Sequence, residues 1–95
     1  MNYKKNILVV DDTLTSLNMI EQILKEKYVI SLASSGMQAI QMLESKIPDL
    51  ILLDIKMPVM DGFETFKWIH KNKRTANIPI IMMGMETNDD YEAIS

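Results

Sequence analysis

Leu50-Ile51-Leu52-Leu53-Asp54, followed by Ile55-Lys56-Met57-Pro58-Val59-Met60-Asp61-Gly62, is the stretch that decides the fold of this 95-residue chain. An apolar run leads directly into a carboxylate, and Pro58 and Gly62 then interrupt the chain. An unbroken apolar run bounded by turn residues predicts a strand buried on both faces, as in a parallel sheet. Asp54 is therefore expected at the carboxyl end of a buried strand, where ligands bind in open α/β sheets.

The composition predicts one small globular domain that spans residues 1–95, with 47% hydrophobic residues and a net charge of -3. Because no basic face dominates, direct binding to nucleic acid is not expected. The absence of cysteine excludes disulfides and thiolate metal sites. The first apolar run, Ile7 to Val10, is far shorter than the about 20 residues of a membrane span. We therefore expect a cytoplasmic protein with no membrane partner.

The remaining sequence alternates between short apolar runs and amphipathic helical patterns. Strands are predicted at residues 7–10, 28–33, 50–53 and 78–83, with helices between them and a last short helix from Asn88 to Ser95. Apolar residues spaced three and four apart mark the helices, and Asp12 or Thr13 is the expected N-cap of the first one. Such alternation implies right-handed crossovers and a parallel sheet covered on both faces. The predicted fold class is a doubly wound α/β domain.

Three acidic residues follow predicted strands, namely Asp11 and Asp12 after the first strand and Asp54 after the third. If those strands are neighbours in a doubly wound sheet, their ends meet at one crevice. Three carboxylates in one crevice repel one another, and a divalent cation is the simplest source of relief. Oxygen ligands without His or Cys favour Mg²⁺ or Mn²⁺ over zinc. A carboxylate beside such a metal can accept a phosphoryl group, and Asp54 is the predicted acceptor.

These residues belong to three motifs that resemble the receiver domain of two-component response regulators: Ile7-Leu8-Val9-Val10-Asp11-Asp12, Asp49-Leu50-Ile51-Leu52-Leu53-Asp54 and Met57-Pro58-Val59-Met60-Asp61-Gly62. The resemblance implies a flavodoxin-like sheet with strand order 2-1-3-4. It implies that a phosphohistidine of a sensor histidine kinase or phosphotransfer protein donates a phosphoryl group to Asp54. It also implies Mg²⁺ held by Asp12, Asp54 and the backbone carbonyl of Lys56, with Asp11 acting through water. The expected function is signal relay through changed surface contacts, and the domain is not expected to be a classical enzyme.

The sequence departs from the family pattern in two places. The family has a Ser or Thr after the fourth strand whose hydroxyl binds the phosphoryl group, and Gly84 stands at that switch position. The family continues with a fifth strand bearing a Lys and a fifth helix, whereas this sequence stops at Ser95. We therefore expect an incomplete receiver. Either the sequence is a piece of a longer regulator, which the missing fifth strand favours, or association or strand exchange completes the fold. The fourth strand is then an exposed apolar edge, which favours self-association.

Two charged residues are candidates for tuning the site mouth. In the family, the positions two after the acceptor and two after the switch residue flank the entrance, and here they are Lys56 and Glu86. One interpretation is that these side chains pair across the mouth, or that Lys56 partly substitutes for the missing Lys. The other is that both are solvated and contribute under ~1 kcal/mol together.

Two other functions compete with the phosphoacceptor. A dimerisation or docking module that works without phosphorylation is favoured by Gly84 and by the short C-terminus, but disfavoured by the intact acids. A phosphatase of the haloacid-dehalogenase type is suggested only superficially by Asp11-Asp12-Thr13-Leu14-Thr15. In that family one residue separates the two acids, whereas here they are adjacent, and the chain is too short for that core.

Overall fold

The computed structural model describes residues 3–84, which form a four-stranded parallel sheet and three helices. The elements in chain order are β1 (Lys5–Val10), α1 (Leu14–Leu24), β2 (Tyr28–Ala33), α2 (Gly36–Ser45), β3 (Leu50–Asp54), α3 (Gly62–Lys71) and β4 (Ile80–Met83). The strand order is β2-β1-β3-β4 with every pair parallel, which confirms the predicted doubly wound sheet. The helix expected near residues 88–95 lies outside the described residues.

The sheet carries helices on both of its faces. On one face, α2 and α3 bury a core that includes Leu43, Ile51 and Ile69. On the other face, Leu17 of α1 packs with Ile7 and other residues of the sheet. Because β1 and β3 supply side chains to both cores, their sequences are apolar without alternation. None of these three helices is long and apolar enough to cross a membrane.

Some element bounds differ from the sequence predictions, since β1 begins at Lys5 and β3 extends to Asp54. Two further local features also differ. Thr13 is the N-cap of α1, but its side chain makes no capping hydrogen bond, and its hydroxyl donates to Oδ1 of Asp11 at 3.0 Å. β4 begins at Ile80 instead of residue 78. Pro79 has no N–H to donate, although its carbonyl accepts a hydrogen bond of 3.0 Å from the N–H of Ile51.

The loop that connects β3 to α3 folds back and forms a hydrogen bond to the residue that follows β3. Asp61 caps α3 by accepting a 2.9 Å hydrogen bond from the N–H of Glu64, whose carboxylate accepts one from Asp61 at 3.2 Å. The N–H of Gly62 donates to the carbonyl of Ile55 at 2.8 Å. A Cβ atom at Gly62 would collide with the carbonyl oxygen of Asp54 and approach Cα of Ile55 to 2.6 Å. Only glycine therefore allows this close return, which fixes the loop that follows Asp54.

Candidate functional site

The three predicted acids lie together at the carboxyl edge of the sheet. β1 and β3 are neighbours, with Val10 opposite Leu53, so the residues that follow them emerge side by side. Each of Asp11, Asp12 and Asp54 offers a carboxylate oxygen, and these oxygens all lie within 4.8 Å of one another. Asp11 and Asp54 are buried, each with 8% of its surface exposed, whereas Asp12 is exposed to solvent. The crevice is thus open on the side of Asp12.

Local backbone groups orient two of the three carboxylates. The N–H of Lys56 donates to Oδ1 of Asp54 at 3.2 Å, which holds this carboxylate against the start of the loop. Oδ1 of Asp11 accepts hydrogen bonds from the N–H and the hydroxyl of Thr13, at 2.9 and 3.0 Å. The N–H and the hydroxyl of Thr13 therefore fix the orientation of the Asp11 carboxylate.

The electrostatics of the cluster favour a cation. The pKa of the Asp54 carboxyl is raised above its ordinary value of 3.8, chiefly because the group is buried. The hydrogen bond from Lys56 opposes this effect, while the negative charges of Asp11 and Asp12 add to it. In the part of the chain described by the structure, this is the one group of at least three acidic, His or Cys side chains with metal-ligand spacing. Its carboxylate oxygens suit a hard divalent cation such as Mg²⁺.

The loop beside Asp54 contains a backbone conformation that the sequence did not predict. Val59 has a φ of 66°, and its side chain is 98% exposed. The N–H of Met60 donates to the carbonyl of Pro58 at 2.7 Å, so Val59 is the central residue of a tight turn. A β-branched residue rarely adopts this left-handed region, and no sequence signal marks it. The fixed ends of the loop impose it.

Gly84 lies directly beside the Asp54 carboxylate. It follows β4, has a φ of +80°, and packs against the Asp54 carboxylate without an intervening side chain. The predicted switch position therefore lies next to the acidic residues. Where the family has a side-chain hydroxyl, this chain has only backbone atoms. Lys56 is exposed at the start of the loop. Glu86 lies outside the described residues, so its pairing with Lys56 stays a prediction.

Comparison with known sequences identifies the family that shares these features. A family model described as response regulator receiver domain matches residues 7–94. A probable cyclic di-GMP phosphodiesterase of Vibrio cholerae is 38% identical over 88 residues, which cover 93% of this chain and 20% of that protein. The response regulator PleD of Caulobacter vibrioides is 37% identical over 78 residues, covering 81% of this chain and 17% of PleD. The chain thus spans about a fifth of the length of these curated relatives.

Solved structures show the same architecture. The N-terminal domain of a response regulator receiver protein from Methanoculleus marisnigri superposes with a TM-score of 0.86 at 35% identity, covering 95% of this chain and 74% of that one. The receiver domain of a sensor histidine kinase from Pseudomonas aeruginosa, solved with a magnesium ion coordinated in its active-site cleft, gives 0.85 at 29% identity. That match covers 95% of this chain and 75% of the other.

We predict that Asp54→Asn stabilises the metal-free protein at neutral pH. A carboxyl whose pKa is raised by folding contributes stability that is fully present below 3.8 and is lost as the pH rises through the folded pKa. An amide at position 54 carries no charge and does not lose this stability when the pH rises. The variant should therefore melt several degrees higher than the wild type at pH 7, since 1 kcal/mol of stability corresponds to about 4–8 °C in a domain of this size. The gain should shrink as the pH falls toward 3.8.

Thermal unfolding by circular dichroism in a chelating buffer, from pH 7 downward, measures this difference. Addition of Mg²⁺ provides the control, because it should raise the melting temperature of the wild type more than that of the variant. A variant that is less stable than the wild type at pH 7 without metal would contradict the electrostatic interpretation of the cluster.

Proposed function

The chain belongs to the response regulator receiver domain family, and on that premise we propose that Asp54 is its phosphoacceptor. The donor is a phosphohistidine of a sensor histidine kinase or of a phosphotransfer protein. One observation carries the proposal: the three family acids converge within 4.8 Å at the carboxyl ends of two adjacent strands. Asp54 is the member of this group at the tip of a central strand, and Asp12 leaves the crevice open to an incoming donor.

The residues around the crevice fit a divalent cation, Mg²⁺ or Mn²⁺. Asp11, Asp12 and Asp54 supply carboxylate oxygens, and we assign the backbone carbonyl of Lys56 as a further ligand, with Asp11 acting through water. The structural relative from Pseudomonas aeruginosa, which has magnesium coordinated in its active-site cleft, supports a magnesium site here. When bound, the cation neutralises the charge that develops on phosphoryl oxygens. The raised pKa of Asp54 is a second support, because a cation relieves the repulsion that contributes to it.

The chemical step is a displacement at phosphorus. A carboxylate oxygen of Asp54 forms a P–O bond as the P–N bond of the donor phosphohistidine breaks, and the departing imidazole keeps the electron pair and takes up a proton. The Lys56 N–H holds the acceptor carboxylate during this step. Because the product is an acyl phosphate within the domain itself, the reaction modifies the protein and marks a signalling state instead of turning over a separate substrate.

Phosphorylation changes the charge at one edge of the sheet. A phosphoryl group adds about -1.5 to -2 charges next to Asp11 and Asp12, which alters the contacts available to a partner protein. We propose that this altered surface is the signal, and that the exchange takes place in the cytoplasm. The alternative is a docking module that works without phosphorylation, and Gly84 is the residue that favours it.

Phosphorylation is predicted to depend on Asp54 and on a divalent cation. Incubation with acetyl phosphate and Mg²⁺ should raise the mass of the intact protein by one phosphoryl group, and chelation of the metal should prevent it. Asp54→Asn should abolish the adduct. Asp49→Asn is the matched control, because Asp49 is an exposed aspartate at the opposite end of β3 and should leave labelling intact.

An unlabelled wild type would exclude the phosphoacceptor function and leave the docking module as the better explanation. An adduct that persists in Asp54→Asn would show that another residue accepts the phosphoryl group. Beryllofluoride, which mimics the acyl phosphate, provides an independent binding measurement on the same set of variants.

We further propose that Lys56 and Glu86 tune the lifetime of the phosphoryl group at the site mouth. The exposure of Lys56 next to the acceptor supports this role. Lys56→Ala should change the phosphorylation or dephosphorylation rate by about twofold to fivefold, as expected for an exposed ion pair. Quenched mass spectrometry measures both rates, and Lys67→Ala, an exposed lysine of α3, is the control. Unchanged rates in both variants would mean that Lys56 does not tune the lifetime of the phosphoryl group.

We also propose that two copies of the chain associate through β4. Among residues 3–84, β4 pairs with β3 alone, and Ile81 is 53% exposed. A Lys on an edge strand opposes further strand pairing. Ile81→Lys should therefore reduce concentration-dependent association in sedimentation experiments, whereas Val29→Lys on the other edge strand, β2, should not. A wild type that stays monomeric at every concentration, or an equal effect of both variants, would rule this interface out.

A further inference from the structure

The acceptor carboxylate touches the backbone that follows β4. A Cβ atom added to Gly84 would lie 2.6 Å from Oδ1 of Asp54 and 3.9 Å from the nitrogen of Ile55. A carbon and an oxygen in van der Waals contact are separated by more than 3 Å, so the space that any side chain would need is already filled by the carboxylate. The φ of +80° at Gly84 is also one that residues with a Cβ rarely adopt.

Strand pairing holds the end of β4 next to Asp54. Asp54 and Met83 are directly opposite each other in the parallel ladder of β3 and β4. The N–H of Ile55 donates to the carbonyl of Met83 at 3.0 Å, one residue before Gly84. A side chain at position 84 must therefore displace the flexible carboxylate of Asp54 or break this hydrogen bond.

The oxygen that faces Gly84 is the same one that Lys56 holds. The Lys56 N–H donates to Oδ1 at 3.2 Å, so this oxygen lies between the loop after β3 and the residue after β4. Rotation of the carboxylate away from position 84 would lengthen that hydrogen bond. It would also change the spacing of Asp54 from the other two acids, which now places their oxygens within 4.8 Å of one another.

We propose that Gly84 is a positioning residue for the phosphoacceptor: its missing side chain lets β4 close onto Asp54 and keeps Oδ1 on the Lys56 N–H. This inference rests on the proposed function for its consequence in phosphoryl transfer, but its geometric part concerns the acidic cluster alone. A Ser at position 84 would therefore do more than supply the hydroxyl that the family has there. Its Cβ would displace the Asp54 carboxylate, which is the group expected to carry the phosphoryl group that the hydroxyl binds.

Three variants separate the volume of a Cβ atom from the backbone conformation. Gly84→Ala adds a Cβ and opposes the positive φ, whereas Gly84→Asn adds the same Cβ but tolerates the left-handed region. Ile69→Val is a mildly destabilising core control that leaves the residues around Asp54 unchanged. Each protein is assayed well below its melting temperature for two quantities: the Mg²⁺ dissociation constant from calorimetry, and the rate of phosphorylation by acetyl phosphate at saturating Mg²⁺.

Both Gly84 variants should bind Mg²⁺ about tenfold more weakly, as for other residues that orient metal ligands. Both should also be phosphorylated about tenfold or more slowly, because the acceptor is misplaced. Ile69→Val should match the wild type in both quantities. A Gly84→Asn protein with wild-type Mg²⁺ affinity or a wild-type rate would overturn the inference, because backbone freedom alone would then explain the glycine.

Failure of the proposed phosphoacceptor function and failure of the positioning role of Gly84 give different results. If the wild type is not phosphorylated at all, the proposed function is wrong, and the Mg²⁺ affinities alone decide the role of Gly84. If the wild type is phosphorylated and the Asn variant equals it, the phosphoacceptor stands and the positioning role does not.

Discussion

The adjacency of β1 and β3 is the constraint on which the site depends. Both strands are buried on two faces, and their parallel pairing brings Asp11 and Asp54 out at the same edge. Burial makes the Asp54 carboxylate costly to ionise, and the nearby charges of Asp11 and Asp12 increase the cost, so the pKa of Asp54 is raised. Folding therefore brings together carboxylates that destabilise the folded state, and apolar packing elsewhere in the sheet must compensate for this cost. A site that holds a divalent cation is a natural outcome of such an arrangement.

Within residues 3–84, short-range hydrogen bonds to two of the carboxylates limit this electrostatic cost. Thr13 satisfies Asp11 through both its N–H and its hydroxyl, and the Lys56 N–H satisfies one oxygen of Asp54. These donors stand two residues after the acids they serve, so they are positioned by the turn that ends each strand. Backbone donors carry no net charge, which leaves the cluster negative and able to attract a cation. The same turns thus orient the ligands without neutralising them.

The sequence was sufficient to predict the sheet and the acids but not the details of the loops. Unbroken apolar runs identified the central strands, and the motif around Asp54 supplied the strand order through its resemblance to a family. The φ of Val59 could not be predicted, because closure of the loop by the hydrogen bond from Gly62 to Ile55 imposes it against local preference. The contact of Gly84 with Asp54 likewise depends on the register between β3 and β4, which no local pattern specifies.

The register of β4 also bears on how the phosphoryl group that we propose on Asp54 would be sensed. A phosphoryl group introduces more negative charge into a crevice that already holds three acids, so its oxygens need donors as well as a cation. At position 84 a side-chain hydroxyl is absent, and the backbone is held within one residue of the hydrogen bond between Ile55 and Met83. Because Gly84 has no side chain that could rotate, a rearrangement at this position has to move the backbone at the end of β4. Among residues 3–84, the contacts that connect the proposed acceptor to its surroundings are the ladder between β3 and β4 and the hydrogen bond from Lys56.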